Sequence, residues 1–151
     1  MRFDVVWRWS VSSADRIGVG PLLRPLVRAM REQREYLATI PRLLTRRKEI
    51  QLYLDEAPCR KLQLGASNKL LPGWLNTDIA PASRAVTYLD AARPFPLPTG
   101  AFDFIFCEHF IEHIERRDAA NCLSEAFRCL RPGGVLRVAT PDLERYADLF
   151  S

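Results

Sequence analysis

The sequence predicts an α/β fold of three layers, in which a mostly parallel sheet is covered by helices on both faces. Short apolar segments recur along residues 58–151, and turns or helical segments separate them. Several of these segments are apolar at successive positions instead of alternating between apolar and polar. Strands of this kind are buried on both faces, which is typical of parallel sheets packed between helices.

The individual elements of this domain follow from the same pattern. Strands are predicted at residues 61–64, 74–78, 86–89, 102–107 and 135–139. Apolar residues on one side predict a helix over 118–130, and the sequence RPGG at 131–134 is expected to close it, with glycine after the last turn. A further helix is predicted over 142–150, with Pro141 or Asp142 at its N-cap.

A basic segment precedes this domain. The net charge of +4 arises entirely from residues 1–57, because residues 58–151 hold equal numbers of acidic and basic side chains. Within residues 1–57, apolar residues recur at helical spacing and predict a helix. Pro41 is expected to end or kink that helix. We therefore predict an N-terminal helical extension with a helical hairpin or a kinked helix over 21–56, after a strand or loosely held arm over 3–11.

The charge of this extension is explained most simply by a solvated helix face. The alternative is that residues 21–56 contact an anionic membrane surface or another protein. Glu32, Glu35 and Glu49 interrupt the basic run, and aromatic residues are sparse in it. No nucleic-acid partner is therefore expected.

Composition excludes several classes of protein. Hydrophobic residues make up 48% and charged residues 26% of the chain, which is ordinary globular usage and excludes a disordered chain. No apolar run approaches the roughly 20 residues of a membrane span, and Asp4 and Arg8 interrupt the apolar N-terminus, so no signal peptide is predicted. The four cysteines form no C-x-x-C pair. This pattern favours reduced thiols and a cytoplasmic protein.

Small and acidic residues follow three successive predicted strands. The turn Gly65-Ala66-Ser67-Asn68 comes directly after the first strand, where backbone N–H groups can approach a ligand closely. Asp78 ends the second strand, and a carboxylate there can accept both hydroxyls of a ribose. Asp90 follows the third strand, where it can accept a hydrogen bond from an adenine amino group. The alternatives are a simple turn for the first feature and helix caps or solvated loop acids for the other two.

Three segments resemble the class I S-adenosylmethionine-dependent methyltransferases. They are KLQLGASNKLLPGWLNTDI, LDAARPFPLPTGAFDFIFCEHFIEHI and LSEAFRCLRPGGVLRVATPDL. They are most similar to a small subgroup that carries G-W-x-N-x-D, E-H-x-x-E-H, R-x-L-x-P-G-G and P-D-L signatures. The resemblance covers about residues 60–150 and implies a Rossmann-like fold with S-adenosylmethionine as the cofactor.

The resemblance also implies which residues hold this cofactor: Gly65, Ala66, Ser67, Asp78, Ile79, Asp90, Ala91 and Glu108. The backbone of the Gly65 turn would line the methionine part, Asp78 would hold the ribose, and Asp90 with Ala91 would face the adenine. The family has a G-x-G turn, whereas this chain has serine at the second glycine position. The Ser67 side chain is expected to narrow the cleft.

The resemblance places Glu108 and His109 beside the reacting sulfonium and the substrate. A hydroxyl or amine acceptor needs a base for its proton, and neutral imidazole is suited to this at pH 7. His109 and His113 are the two histidines of the chain, so the candidate catalytic residues are His109, His113 and Glu108. The alternative is that the histidines cap or pack the following helix.

Residues 109–113 also match the H-x-x-E-H pattern of zinc metalloproteases. Glu144 or Asp148 could be proposed as the third ligand. The motif nevertheless follows a buried strand within an ordered set of methyltransferase-like motifs, so we predict no metal site.

The predicted domain lacks the last two strands of the usual seven-stranded class I sheet. Three explanations compete: the chain is a fragment, which we favour, a second chain supplies the missing strands, or the gene product is decayed. The strand at 135–139 would have an open edge, which a homo-oligomer could cover. The expected function is methyl transfer to a small-molecule or sugar-like acceptor, for example in cell-surface polysaccharide assembly. A non-catalytic cofactor-binding or interaction module of the same fold is the alternative.

Overall fold

The computed structural model describes residues 20–148 of the 151-residue chain. The elements in chain order are helix α1 (Gly20–Glu56), strands β1 (Lys61–Leu64), β2 (Leu75–Asp78), β3 (Thr87–Tyr88) and β4 (Phe102–Glu108), a 3-10 turn (Ile111–His113), helix α2 (Arg116–Cys129), strand β5 (Leu130–Ala139) and helix α3 (Leu143–Asp148). Within residues 20–148, no helix is long and apolar enough to cross a membrane. The predicted strand or arm over 3–11 lies outside the described residues.

The five strands form one parallel sheet in the order β3-β2-β1-β4-β5. The chain leaves β1 in one direction to form β2 and β3, and then returns to place β4 on the other side of β1. This order matches the first five positions of a doubly wound sheet, and the reversal between β1 and β4 is its topological switch point. The predicted α/β, Rossmann-like architecture is confirmed.

The centre of the sheet is buried on both faces. Three successive residues of β1 and three of β2 are buried, and successive residues of a strand point to opposite faces. The apolar core includes Leu62, Phe102 and Ile105, each no more than 1% exposed. The buried residues of β1 and β2 also include Gln63, Asn76 and Thr77, so these two strands are buried without being apolar throughout.

The chain divides after Ile40 into two compact units, and the sheet belongs to the second. Ile50 and Leu54 of α1 are buried in the core of this second unit. The compact unit that holds the sheet thus begins at Pro41.

The hairpin alternative for residues 21–56 is wrong, because helical structure continues through Pro41. Proline removes one backbone hydrogen bond of a helix. The remaining bonds of a 37-residue helix and the burial of Ile50 and Leu54 offset that loss.

The sequence RPGG at 131–134 does not close a helix as predicted. Helix α2 ends at Cys129, and Leu130 is already extended. Phe102 of β4 pairs with Leu130, whereas Phe104 pairs with Val135. Residues 131–134 lie between these two partners and form a bulge within β5. A Cβ atom at Gly134 would lie 2.9 Å from a methyl carbon of Leu130, which explains a glycine there.

The other predicted boundaries differ from the structure by small amounts. Strand β3 has only two residues, and α2 begins two residues before its predicted start. Asp142 is confirmed as the cap of α3, since its carboxylate accepts the Glu144 N–H at 3.0 Å.

Candidate functional site

A crevice opens at the carboxyl ends of β1, β2 and β3. Parallel α/β sheets bind their ligands at this edge, beside the switch point. The lining residues are mostly apolar, with two carboxylates among them: Gly65, Asp78, Ile79, Leu89, Asp90, Ala91, Ala92, Phe110 and Ile114. Three loops of the sheet and the segment after β4 therefore meet around one space.

Asp78, at the end of β2, connects two of these loops. Its Oδ2 accepts the Ser67 N–H at 2.8 Å, and its Oδ1 accepts the Ala80 N–H at 2.9 Å. Each carboxylate oxygen has a second lone pair. Asp78 thus fixes the turn after β1 and can still accept hydrogen bonds from a ligand hydroxyl.

Asp90 is held by its own loop. Its Oδ1 accepts the Ala92 N–H at 3.0 Å, and the Arg93 guanidinium lies 3.8 Å from its Oδ2. The Asp90 side chain is about one-quarter exposed. Both carboxylates of the crevice are therefore oriented by backbone N–H groups before any ligand binds, which lowers the entropic cost of binding.

Gly65 touches Phe110 across the switch point. Gly65 follows β1 and has a φ of +66°, and a Cβ atom there would lie 2.6 Å from Cδ2 of the Phe110 ring. No side chain other than hydrogen fits at this position without displacing the ring. The Phe110 ring therefore forms one wall of the crevice directly over the turn.

The next two residues of the turn are not among the lining residues. Ala66 is 1% exposed and donates its N–H to the Thr77 carbonyl at 2.9 Å, while the Ser67 N–H is donated to Asp78. Ser67 has a φ of +47°, a left-handed conformation that strains any residue with a Cβ atom. Of the three predicted backbone contacts, only Gly65 reaches the crevice.

The predicted catalytic residues lie at the end of β4, next in sequence to the crevice wall. Lys69 is 3.8 Å from the Glu108 carboxylate. His109 has a φ of +48°, and its Nδ1 lies 3.4 Å from Oε1 of Glu112. His113 ends the 3-10 turn, where its N–H donates to the Phe110 carbonyl at 2.9 Å. None of Glu108, His109 and His113 lines the crevice itself.

The structure does not form the helix that the zinc interpretation needs. Only Ile111–His113 form a 3-10 turn, and Ile114 is extended, so His109 and His113 do not share the face of an α-helix. Among residues 20–148, no group of three or more histidine, cysteine or acidic residues could hold a metal ion. Glu144 and Asp148 lie in α3.

Cys107 precedes Glu108 but is not a reactive thiol. The side chain is 2% exposed, and burial raises the pKa of the Cys107 thiol to about 12. The thiolate is the nucleophilic form, so Cys107 acts as a small apolar core residue.

Sequence reasoning missed four lining residues: Leu89, Ala92, Phe110 and Ile114. They are ordinary apolar residues and carry no chemical signal of their own. The glycine at 65 is the one indication, since a glycine after a strand can mark close approach of another group. It does not identify the group.

Residues 72–138 match the family described as Methyltransferase domain. A curated protein of Mycolicibacterium smegmatis, named "Probable S-adenosylmethionine-dependent methyltransferase", is 47% identical over 47 residues. That stretch covers 31% of this chain and 18% of the relative, so the chain matches less than a fifth of the relative's length.

Two solved structures are similar at low identity. One is the trans-methyltransferase CalH in complex with SAH, at 21% identity and a TM-score of 0.41, covering 59% of this chain and 34% of that one. The other is a putative methyltransferase of Haloferax volcanii in complex with the activator Trm112, at 15% identity and a TM-score of 0.40. The alignment covers 67% of this chain and 56% of that chain.

The sheet order is that of doubly wound folds, and residues 72–138 are similar to methyltransferase domains. S-adenosylmethionine is the cofactor that these matches indicate. The side chains of the crevice suit a nucleoside chemically, because two oriented carboxylates among apolar residues offer acceptors to ribose hydroxyls and an adenine amino group.

Proposed function

We propose that this chain binds S-adenosylmethionine in the crevice and transfers a methyl group to a small-molecule or sugar-like acceptor. The observation that carries the proposal is that Gly65, Asp78 and Asp90, from three different loops, line one crevice beside the switch point. The spacing of these three residues in the sequence does not by itself require them to lie around one crevice. It is the arrangement that a nucleoside ligand requires.

Each residue of the crevice has a part in this binding. Asp78 would accept hydrogen bonds from the ribose hydroxyls with the lone pairs that Ser67 and Ala80 leave free. Asp90 would accept one from the adenine amino group, and Ile79 and Ala91 would contact the base. When bound, the cofactor would supply a methyl group from a positively charged sulfur to the acceptor atom. Breaking the carbon–sulfur bond would leave the sulfur as a neutral thioether.

The residues at the end of β4 would act on the acceptor. Displacement at a sulfonium needs mainly alignment of donor and acceptor, so the chain's contribution to the chemistry is to orient the acceptor and to take its proton. Glu108, His109 and His113 are the candidates, because they lie at the end of β4 and in the short segment after it, which includes Phe110 of the crevice wall.

The proposal is tested by isothermal titration calorimetry with S-adenosylhomocysteine, which binds without turnover. Asp78→Asn keeps the size of the side chain but removes its charge and one acceptor. We expect an affinity about tenfold lower, since a hydrogen bond to a charged group contributes about 1.5–3 kcal/mol and the amide retains part of it.

Asp55→Asn is the matched control. Asp55 accepts from Gln51 on α1 and does not line the crevice, so its variant should bind like the wild-type chain. Equal affinity of Asp78→Asn and wild type, or no binding by the wild type, would contradict the proposal. Binding without methyl transfer to any member of an acceptor panel would instead favour the non-catalytic module.

The cytoplasmic location, the contacts of residues 21–56 and a homo-oligomer at the open edge of β5 stay predictions. So does the division into an extension, 1–57, and a domain, 58–151. Salt-sensitive binding to anionic vesicles would support a membrane contact of the extension.

A further inference from the structure

Glu112 and His109 form a pair at the end of β4. The Nδ1 atom of His109 lies 3.4 Å from Oε1 of Glu112, and the two side chains are 53% and 27% exposed. The pair adjoins Phe110, which forms the wall of the crevice. The Nδ1 atom of the His109 ring thus lies within ion-pair distance of the Glu112 carboxylate.

A carboxylate can only accept a hydrogen bond, so it favours the proton on the ring nitrogen that faces it. In a neutral imidazole one nitrogen carries the proton and the other the lone pair. We propose that Glu112 is a positioning residue, which keeps the proton on Nδ1 of His109 and the lone pair on Nε2. Nε2 then is the atom that takes a proton from the acceptor.

The backbone around His109 supports this assignment. Its φ of +48° is in the left-handed region, and its N–H donates to the Ala139 carbonyl at 2.9 Å. Cys107 is buried on one side and Phe110 packs on Gly65 on the other. A strained residue fixed at both ends is typical of a functional position, and the fixed backbone limits where the ring can lie.

The proton step that this arrangement allows is simple. The O–H or N–H bond of the acceptor breaks, its electron pair stays on the acceptor atom that gains the methyl group, and the proton forms an N–H bond at Nε2. Because half of the His109 side chain is exposed, the proton can then pass to water.

His113 lacks this arrangement. Within the described part of the chain, no acidic side chain lies within ion-pair distance of its ring. The proposal therefore distinguishes two histidines that the sequence left equivalent. It depends on the proposed function for the role in methyl transfer, whereas the position of the proton can be measured without any substrate.

The test is nuclear magnetic resonance of the imidazole nitrogens. In the His113→Gln variant, His109 is the single histidine, so its ¹⁵N signals need no assignment. At about pH 8.5, where an ordinary imidazole is neutral, the Nδ1–H tautomer should predominate. Glu112→Ala in the same background should shift the tautomer ratio toward Nε2–H by about two- to fivefold, a modest change because the pair is partly exposed.

Glu115→Ala is the matched control, with the same loss of charge three residues further along, and it should leave the ratio unchanged. A predominant Nε2–H tautomer in the parent, or an equal ratio in parent and Glu112→Ala, would overturn the proposal. S-adenosylhomocysteine affinity, measured on the same samples, should not change with Glu112→Ala. Loss of binding by all samples with the tautomer shift intact would contradict the proposed function and leave the pair in place.

Discussion

Arg128 on α2 makes an extensive set of polar contacts in the second unit. Its guanidinium donates to the carbonyls of Leu97 and Phe95 at 3.0 and 3.1 Å and to the Thr99 hydroxyl at 3.1 Å. It also forms two bonds with the Glu125 carboxylate, at 2.8 and 2.9 Å, and this carboxylate accepts the Phe95 N–H at 2.6 Å. We therefore expect Arg128 to attach the 95–99 loop to α2.

The variant Arg128→Met tests this, because methionine keeps an apolar stem of similar length and removes only the guanidinium. Two carbonyls lose a charged donor, and Glu125, whose side chain is 15% exposed, loses its partner. Breaking a buried pair costs about 3–5 kcal/mol, but one-third of the Arg128 side chain is exposed, so screening lowers this cost. We expect a loss of about 2–3 kcal/mol in the free energy of unfolding.

Urea unfolding at pH 7, followed by circular dichroism, measures this loss. Arg117→Met is the control, since Arg117 is exposed on the same helix, and its variant should lose less than about 0.5 kcal/mol. Equal stabilities of the two variants would refute the argument. The affinity for S-adenosylhomocysteine should also fall in Arg128→Met, because the attached loop continues from Asp90 and Ala91 of the crevice.

Two further predictions concern the turn after β1, and one concerns acid stability. Gly65→Ala places a Cβ atom at positive φ, 2.6 Å from the Phe110 ring, so unfolding should cost about 2 kcal/mol less and S-adenosylhomocysteine binding should be lost. The double variant with Phe110→Ala should be more stable than the sum of the two single changes predicts, and additive urea midpoints would count against the contact. Ser67→Gly relieves a left-handed conformation, but glycine also gains entropy in the unfolded chain, so stability should change by less than about 0.5 kcal/mol. Because Ser67 does not line the crevice, the affinity for S-adenosylhomocysteine should stay the same by calorimetry, and a clear change in either direction would contradict this. Hydrogen bonds from Arg128 hold the pKa of Glu125 below its ordinary value of 4.5, so its contribution to stability is complete above that pH and disappears as the pH falls through the lowered value. Urea midpoints measured between about pH 3 and 7 should therefore fall less steeply in Arg128→Met than in wild type, and parallel curves would exclude this origin.

The sheet was predictable because short strands separated by turns leave a direct trace in the sequence. The strand at 61–64 has the predicted bounds, and 74–78 differs from β2 by one residue. The continuation of the helix through Pro41 was not predictable, because tertiary burial of Ile50 and Leu54 outweighs the local effect of proline. The RPGG sequence is ambiguous for a related reason, since glycine serves a helix end and a bulge equally well.

The candidate site was predictable where a residue carries chemistry of its own. Asp78 and Asp90 were identified by their carboxylates at strand ends, and both line the crevice. Phe110 was not identified, because its role depends on the 2.6 Å approach to Gly65 across two strands that are distant in sequence. The contact between His109 and Glu112 was also beyond the sequence, since a regular α-helix and the observed 3-10 turn place these side chains differently.

The four cysteines differ in a way that is useful at the bench. Burial raises the pKa of Cys107 to about 12 and of Cys122 and Cys129 to about 11, whereas Cys59 is only partly covered. Alkylating reagents attack the thiolate, so a maleimide dye should attach at Cys59 and spare the interior. The natural chain thus accepts one fluorophore at a defined place, between α1 and β1, without any cysteine having to be removed.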